Sequence, residues 1–215
     1  KADGGGIVYI PDGTYILDFV NIGKNTILQG ESKDKTILKW SGNTDKNVAQ
    51  TPRTTINRGA IASGKYAEAA KIVYTDESYV GLFDLSIISD IERPEELRAD
   101  DITKNRMIYG YVVPVAFLGM AQKWNDDAFP EGEEGYDAEG YVLKNVGINI
   151  VDGAVAMIWS NKGVVMEDCD TYVSHSTEIR APGYTRVRNN TFSNILRPLI
   201  MFGGPDDCIW MEGNV

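Results

Sequence analysis

The chain has 215 residues, of which 43% are apolar and 24% are charged, the balance of an ordinary globular protein. Lys and Arg number 21 against 31 Asp and Glu, and the net charge of -10 disfavours nucleic acid as a partner because phosphate contacts need clustered cations. Two cysteines, one histidine and no long apolar run exclude a disulfide scaffold, a multi-histidine metal site and a transmembrane helix. The length predicts a single domain over 1–215.

Short strands separated by turn residues open the chain. Four runs rich in β-branched residues cover 7–10, 14–17, 26–28 and 36–40, and Gly, Asp, Asn and Pro separate them. The first residues contain neither an initiator methionine nor a signal peptide, and the last residues have the pattern of a strand entering a turn. We therefore expect this sequence to be a piece of a longer protein.

Acidic residues concentrate in the middle of the chain. Residues 84–140 hold 14 acidic and 5 basic side chains, and the strand pattern is interrupted over about 90–140. We interpret this stretch as an insertion or long loop with a solvated acidic face. Calcium binding by Asp126, Asp127 or the glutamates within 131–134 stays open, although the spacing of a helix-loop-helix calcium site is absent.

The last third of the chain repeats a strand pattern with a period near 22 residues. Four overlaid segments begin 23, 21 and 23 residues apart, at Val142, Val165, Arg186 and Ile209. Short strands at this period, with no recurring helical segment, favour a solenoid of stacked β-coils. Asn145, Asp168 and Asn189 share one register position, where such side chains suit a tight bend and tolerate the left-handed conformation. Asp168 is therefore expected to be structural.

Two phrases near the start resemble the opening of a known family. Residues 4–15 hold three glycines, a strand and Pro-Asp-Gly-Thr-Tyr, and residues 28–38 read Leu-x-Gly followed by Thr-x-Leu. Both are similar to the first coils of the pectate-lyase-like superfamily, which includes polysaccharide lyases, polygalacturonase-type hydrolases and non-catalytic stalks. The resemblance implies an all-β, right-handed parallel β-helix with a polysaccharide as its partner. It also implies a secreted, periplasmic or cell-surface location.

A second alignment places charged and aromatic side chains on one predicted face. Three isoleucines lie 21 residues apart and are expected to point inward, namely Ile158, Ile179 and Ile200. Strand alternation then sends Trp159, Glu178 and Arg180 outward on neighbouring coils. An exposed tryptophan beside an acid and a base suits sugar stacking, and burial of Trp159 is the alternative. With Arg180 outward, Arg180→Ala is expected to leave folding nearly intact.

Four arginines give residues 171–203 a local positive charge within an acidic protein, namely Arg180, Arg186, Arg188 and Arg197. Guanidinium groups suit carboxylate recognition and attract a polyuronate, and pairing with the acidic stretch is the alternative. Elimination from a uronic acid needs a base and cations that stabilise the enolate-like charge. Arg180 is the candidate base and Arg197 the candidate carboxylate partner. Trp159, Arg186 and Arg188 are candidate substrate-binding residues.

A glycoside hydrolase is the second hypothesis. Residues 204–208, Gly-Pro-Asp-Asp-Cys, resemble the Gly-Asp-Asp-Cys phrase of polygalacturonase-like hydrolases with one inserted proline. Asp206 and Asp207 would then act with Glu178 as the paired carboxylates that glycosidases use, and a turn after Gly-Pro is the alternative. The third hypothesis is a non-catalytic glycan-binding or stalk protein. Calcium is the one cofactor left open, and the oligomeric state stays undetermined.

Overall fold

Parallel β-strands are the regular elements of this chain. A computed structural model describes residues 4–42, 70–75, 77–91, 112–119, 138–150, 155–160, 162–174, 176–181, 183–195, 197–202 and 207–215. Seventeen strands lie within these ranges, and every assigned regular element there is a strand. The prediction of an all-β architecture is confirmed.

The strands belong to two hydrogen-bonded sheets of eleven and six strands. In chain order they are β1 (Gly6–Ile10), β2 (Gly13–Leu17), β3 (Val20–Asn21), β4 (Thr26–Gly30), β5 (Thr36–Trp40), β6 (Ala70–Thr75), β7 (Gly81–Ser89), β8 (Val112–Leu118), β9 (Tyr141–Ile150), β10 (Val155–Trp159), β11 (Val164–Glu167), β12 (Asp170–Val173), β13 (Ser176–Arg180), β14 (Tyr184–Arg188), β15 (Thr191–Phe192), β16 (Leu199–Phe202) and β17 (Cys208–Glu212). The four strands predicted before residue 41 are all present.

The eleven-stranded sheet has two branches because β7 and β9 are long and pair on both sides of a bend. The first half of β7 pairs with β4 and its second half with β5, and β9 continues in the same way to β11 and β12. We call the branch β1-β4-β7-β9-β11-β14-β17 ladder A and the branch β2-β5-β7-β9-β12-β15 ladder B. The six-stranded sheet β3-β6-β8-β10-β13-β16 is ladder C.

The chain visits ladders A, B and C in turn, and one passage through them forms one layer. In ladder A, Val142 pairs with Val165, Val165 with Arg186 and Arg186 with Trp210. The first two predicted spacings are confirmed. The last is wrong by one residue, because Trp210 and not Ile209 lies beside Arg186.

Ladder C departs from the predicted alignment at one position. Ile158 pairs with Ile179 as expected, but Ile179 pairs with Met201 and Glu178 pairs with Ile200. Ile200 is therefore not the equivalent of Ile179. Met201 packs against the core in its place, together with Leu199.

The earlier layers are separated by longer stretches of chain. Ile27 pairs with Gly81, and Gly81 pairs with Val142. β8 (Val112–Leu118) falls inside the stretch 90–140 and pairs with β6 and β10 in ladder C. The prediction of one continuous insertion therefore missed a strand. The calcium candidates within 126–134 lie outside the described residues.

The core lies between the ladders, where every second side chain of a strand points. One inner row of ladder A holds Leu28, Leu82, Leu143, Met166 and Val187, all buried. Complete burial of a side chain of this size stabilises the fold by about 1.5–3 kcal/mol. Because each layer buries its inner face against the next, the core runs continuously from one layer to another.

A column of left-handed residues forms the bend between ladders A and B. Asp84, Asn145, Asp168 and Asn189 have φ between 53° and 56°, a region that Asn and Asp adopt more readily than other non-glycine residues. Asn145 Nδ2 donates to Asp84 Oδ1 at 2.7 Å, and Asn189 Nδ2 donates to Asp168 Oδ1 at 3.2 Å. The expectation that Asp168 has a structural role agrees with this geometry.

Asp168→Ala is expected to lower the free energy of unfolding by about 1–2 kcal/mol, because alanine strains the left-handed conformation at this bend. Asp168→Asn is the control, since asparagine occupies the same column at Asn145 and Asn189. Urea unfolding of both variants measures the effect. An alanine variant as stable as the asparagine variant would contradict the role of the bend.

The residues that follow the bend positions form a second column, which faces the core. Along the chain this inner column changes from apolar to polar side chains. It holds Leu85, Val146, Cys169 and Asn190 in successive layers, and Asn214 continues it after Gly213, which has a φ of 62°. Asn190 is only 1% exposed. Its Oδ1 accepts from Cys169 N at 2.9 Å, and its Nδ2 donates to Met166 O at 3.0 Å and to Asn214 Oδ1 at 2.9 Å. Sequence inspection did not single out this internal asparagine column.

Candidate functional site

Two neighbouring strands of ladder C carry the central residues of the predicted site. β10 and β13 are parallel, with Ile158 opposite Ile179 and Trp159 opposite Arg180. Both isoleucines belong to the core. Since side chains alternate along a strand, Trp159, Glu178 and Arg180 lie on the other side of ladder C. The predicted inward and outward assignment of these two strands is correct.

The expectation that this strip is exposed to solvent is wrong. Trp159, Glu178 and Arg180 are 2%, 5% and 7% exposed. Tyr74 and Ala116 lie on the same outer row as Glu178 and are also buried. Alternation decides on which side of a strand a side chain lies, but the outer side of ladder C is itself covered here.

The three side chains form a compact aromatic and ionic cluster. The Arg180 guanidinium carbon lies 4.5 Å from the centre of the Trp159 ring. Arg180 Nη2 lies 3.7 Å from Glu178 Oε2. We call these three residues the ladder C cluster. Such a cluster combines a flat ring, a cation and a carboxylate on adjacent strands, which are the group types that bind and turn over acidic sugars.

Burial shifts both ionisable groups of the cluster toward their neutral forms. It raises the pKa of Glu178, although Arg180, the indole N–H of Trp159 and the charge of Arg197 act in the opposite direction. Burial also lowers the pKa of Arg180, which Glu178 opposes. Trp159 Nε1 and Glu178 Oε2 complete no hydrogen bond of good geometry in the described part of the chain. The indole N–H of Trp159 and the guanidinium of Arg180 therefore both face the buried Glu178 carboxylate.

Protein stability is expected to fall as the pH rises through the folded-state pKa of Glu178. A carboxyl with a raised folded-state pKa holds its proton more tightly in the folded protein. The contribution of Glu178 to stability is complete below its unfolded-state pKa, which is near 4.5. That contribution is lost as the pH rises past the folded-state pKa. Glu178→Gln removes this titration, so urea midpoints of variant and wild type should diverge with pH. Parallel pH profiles would rule the shift out.

The arginines predicted as one patch are divided between two ladders. Arg186 and Arg188 lie on β14 of ladder A, not beside Arg180. Arg186 pairs with the buried Glu167, and Arg188 Nε lies 3.7 Å from the same carboxylate. Arg186 also lies 5.9 Å from the centre of the Trp210 ring. These pairs use an acid of the neighbouring strand, not one from the acidic stretch.

The remaining predicted site residues occupy the chain near the last layers. Arg197 is exposed, and its charge acts on Glu178. Asp207 Oδ1 accepts from Gly183 N at 2.6 Å, a bond between neighbouring layers. Asp206 lies outside the described residues. The hypothesis that both aspartates act with Glu178 stays a prediction.

Sequence inspection also missed two exposed tyrosines near the turn that leads from ladder C to ladder A. Tyr79 has a φ of 59°, which is rare for a bulky residue, and Tyr184 opens β14. A sequence signal for these tyrosines is the pair of glycines Gly140 and Gly163. The glycines lie just before β9 and β11, in the same column of turn positions as the tyrosines.

Metal and membrane features are absent from the described ranges. No group of three or more His, Cys, Asp or Glu side chains there is placed to hold a metal ion. In the same ranges, no helix has the length and apolar character needed to cross a membrane.

Comparisons of the chain with protein-family models, with curated proteins and with solved structures find no match.

Proposed function

We propose that the chain is a right-handed parallel β-helix of the pectate-lyase-like type and that it acts on a polysaccharide. Three observations support the proposal. The chain passes through three parallel ladders in turn, Asn and Asp residues occupy a left-handed bend column, and the first two layers hold the glycine-rich opening phrases. The same proposal includes a location outside the cytoplasm.

The proposed reaction is β-elimination in a glycan that contains uronic acids. The observation that carries it is the position of Arg180 between Glu178 and the Trp159 ring. The neighbours that act on Glu178 are Arg180, Trp159 and Arg197, all donors or cations. Cations suit the carboxylate of a uronic acid, whereas a glycosidase needs a second carboxylate near the first.

In the proposed step Arg180 removes the proton from the carbon next to the sugar carboxylate. The electron pair of that C–H bond forms a carbon–carbon double bond, the glycosidic C–O bond breaks, and the leaving oxygen takes a proton from solvent. Burial lowers the pKa of Arg180, the direction that a base needs. Arg197, which is exposed, would bind the sugar carboxylate.

The test is incubation of the chain with polyuronates and neutral glycans, with and without calcium. Unsaturated product is followed by ultraviolet absorbance, and chain cleavage by new reducing ends. Absorbance that rises together with reducing ends, and that is lost in Arg180→Lys, supports elimination. Lys39→Ala is the matched control, because Lys39 pairs with Asp90 at 2.7 Å on ladder B, away from the cluster.

A glycoside hydrolase is the second candidate, favoured by one observation. The raised pKa of Glu178 is the property of a general acid that protonates a leaving sugar. Reducing ends without absorbance would support this candidate and would bring in Asp206 and Asp207. A folded sample that produces neither signal would leave the non-catalytic glycan-binding or stalk function.

A further inference from the structure

A column of turn residues between ladders C and A carries two exposed tyrosines on either side of two glycines. The pairing of the strands that follow places Tyr79, Gly140, Gly163 and Tyr184 in successive layers. Gly140 and Gly163 have φ of 77° and 76°. Tyr79 and Tyr184 are 50% and 44% exposed. We call these four residues the tyrosine column.

Tyr79 is held in place although its backbone is strained. Its φ of 59° disfavours a bulky side chain, and Asn25, with a φ of 57°, fills the same position one layer earlier. The Tyr79 ring lies against Gly140, where an added Cβ would come within 2.7 Å of the ring. Tyr79 Oη is hydrogen-bonded to Glu139. Strain that persists in an exposed residue indicates a function for that residue.

The spacing of the two rings suits an extended ligand. Three steps from one layer to the next lead from Tyr79 to Tyr184. At the usual distance between neighbouring strands these steps add up to a rise of roughly 14 Å. The glycine between them at Gly163 presents no side chain, so a ligand can approach the backbone there. The backbone of the column is therefore open to a ligand at Gly163, between the Tyr79 ring that lies against Gly140 and Tyr184.

One cation and one carboxylate lie beside the rings, because Tyr79 Oη is hydrogen-bonded to Glu139, and the cation at the Tyr184 end suits a sugar chain that carries carboxylates. Tyrosine rings stack on the apolar faces of sugars and keep a polar edge for hydroxyl groups. Lys162 is exposed, and its side chain lies over Gly183 beside Tyr184. Lys162 supplies a cation for a uronate carboxylate.

The geometry points to the tyrosine column as a second glycan-contact surface that binds an extended uronic-acid polysaccharide outside the ladder C cluster. This inference shares its ligand class with the proposed function, but it concerns binding at a different place on the molecule. The ladder C cluster is buried. The tyrosine column is exposed and would hold the extended polysaccharide chain.

The experiment measures the affinity of the full chain for polygalacturonate by gel electrophoresis and by calorimetry. Tyr79→Asn and Tyr184→Ala should each weaken binding about tenfold, the loss expected for one stacked aromatic ring. Tyr172→Ala is the matched control, because Tyr172 is 36% exposed but lies on ladder B. Tyr79→Asn should also raise the melting temperature, because asparagine tolerates the left-handed backbone better than tyrosine.

The outcomes separate this inference from the proposed reaction. Weaker binding in the two column variants, with wild-type binding in Tyr172→Ala, supports the column whether or not the polymer is cleaved. Unchanged affinity in both column variants, an equal loss in the control, or no binding by the wild type would overturn it. Failure of cleavage with intact, tyrosine-dependent binding would overturn the proposed reaction alone.

Discussion

Arg180→Ala is expected to abolish elimination and to lower the free energy of unfolding by about 3 kcal/mol, the lower end of the range for breaking a buried ion pair. The substitution leaves the Glu178 carboxylate buried without the guanidinium that lies 3.7 Å away. It also removes the cation that covers the Trp159 ring. Urea unfolding followed by tryptophan fluorescence measures the stability, and product absorbance measures the reaction.

The double variant Arg180→Ala with Glu178→Gln tests the cause of this loss. A neutral amide in place of the carboxylate removes the unpaired buried charge, so the double variant should regain part of the lost stability. Equal stability of the single and double variants would show that the ion pair is not responsible. A fully stable Arg180→Ala would contradict the burial of the cluster.

Asn190→Ala is expected to cost about 3 kcal/mol, because at least two buried backbone groups lose their partner and each such orphan costs about 1–3 kcal/mol. The two groups are Cys169 N and Met166 O. The side-chain oxygen of Asn214 also loses a donor at 2.9 Å. Asn214 Oδ1 keeps the backbone N–H of residue 190 as a donor at 3.0 Å, so a void too small for a water molecule would leave only the two backbone groups unsatisfied. Thermal and urea unfolding of the variant measure the effect.

The neighbouring residue provides the matched control. Asn189 has a φ of 55° and is exposed, so Asn189→Gly keeps the backbone conformation and loses only the bond to Asp168. We expect that variant to remain within about 1 kcal/mol of wild type. If both asparagine substitutions cost the same, the inner column contributes no more than the outer one.

The repeat period and the bend column could be predicted because each leaves a direct sequence signal. Asn145, Asp168 and Asn189 recur at one position, and all three adopt the left-handed conformation. The predicted pairing register was wrong in the strands where polar and apolar residues do not alternate. The segments around Ile200 and Ile209 are continuous apolar runs, and such runs fit either face of a sheet equally well, so a one-residue shift leaves no trace in the pattern.

The burial of the candidate site could not be predicted for a different reason. Alternation correctly separated Arg180 from the core residue Ile179, because inner and outer positions differ along a single strand. Whether the outer side meets solvent depends on residues distant in the sequence. The internal partner of Asn190 is equally non-local, since Asn214 lies one layer away.

The number of residues between paired strands differs from one layer to the next, and this difference has a consequence for the order of folding. Closing the contact between Gly81 and Val142 joins residues far apart in the chain, whereas Val142 and Val165 are close. Loop-closure entropy makes the longer contact about 0.9 kcal/mol more costly. The layers from β9 onward should therefore form early, as should the first two layers, whose strands β1–β4 and β2–β5 also pair over short stretches of chain, and β7 should join the two groups later.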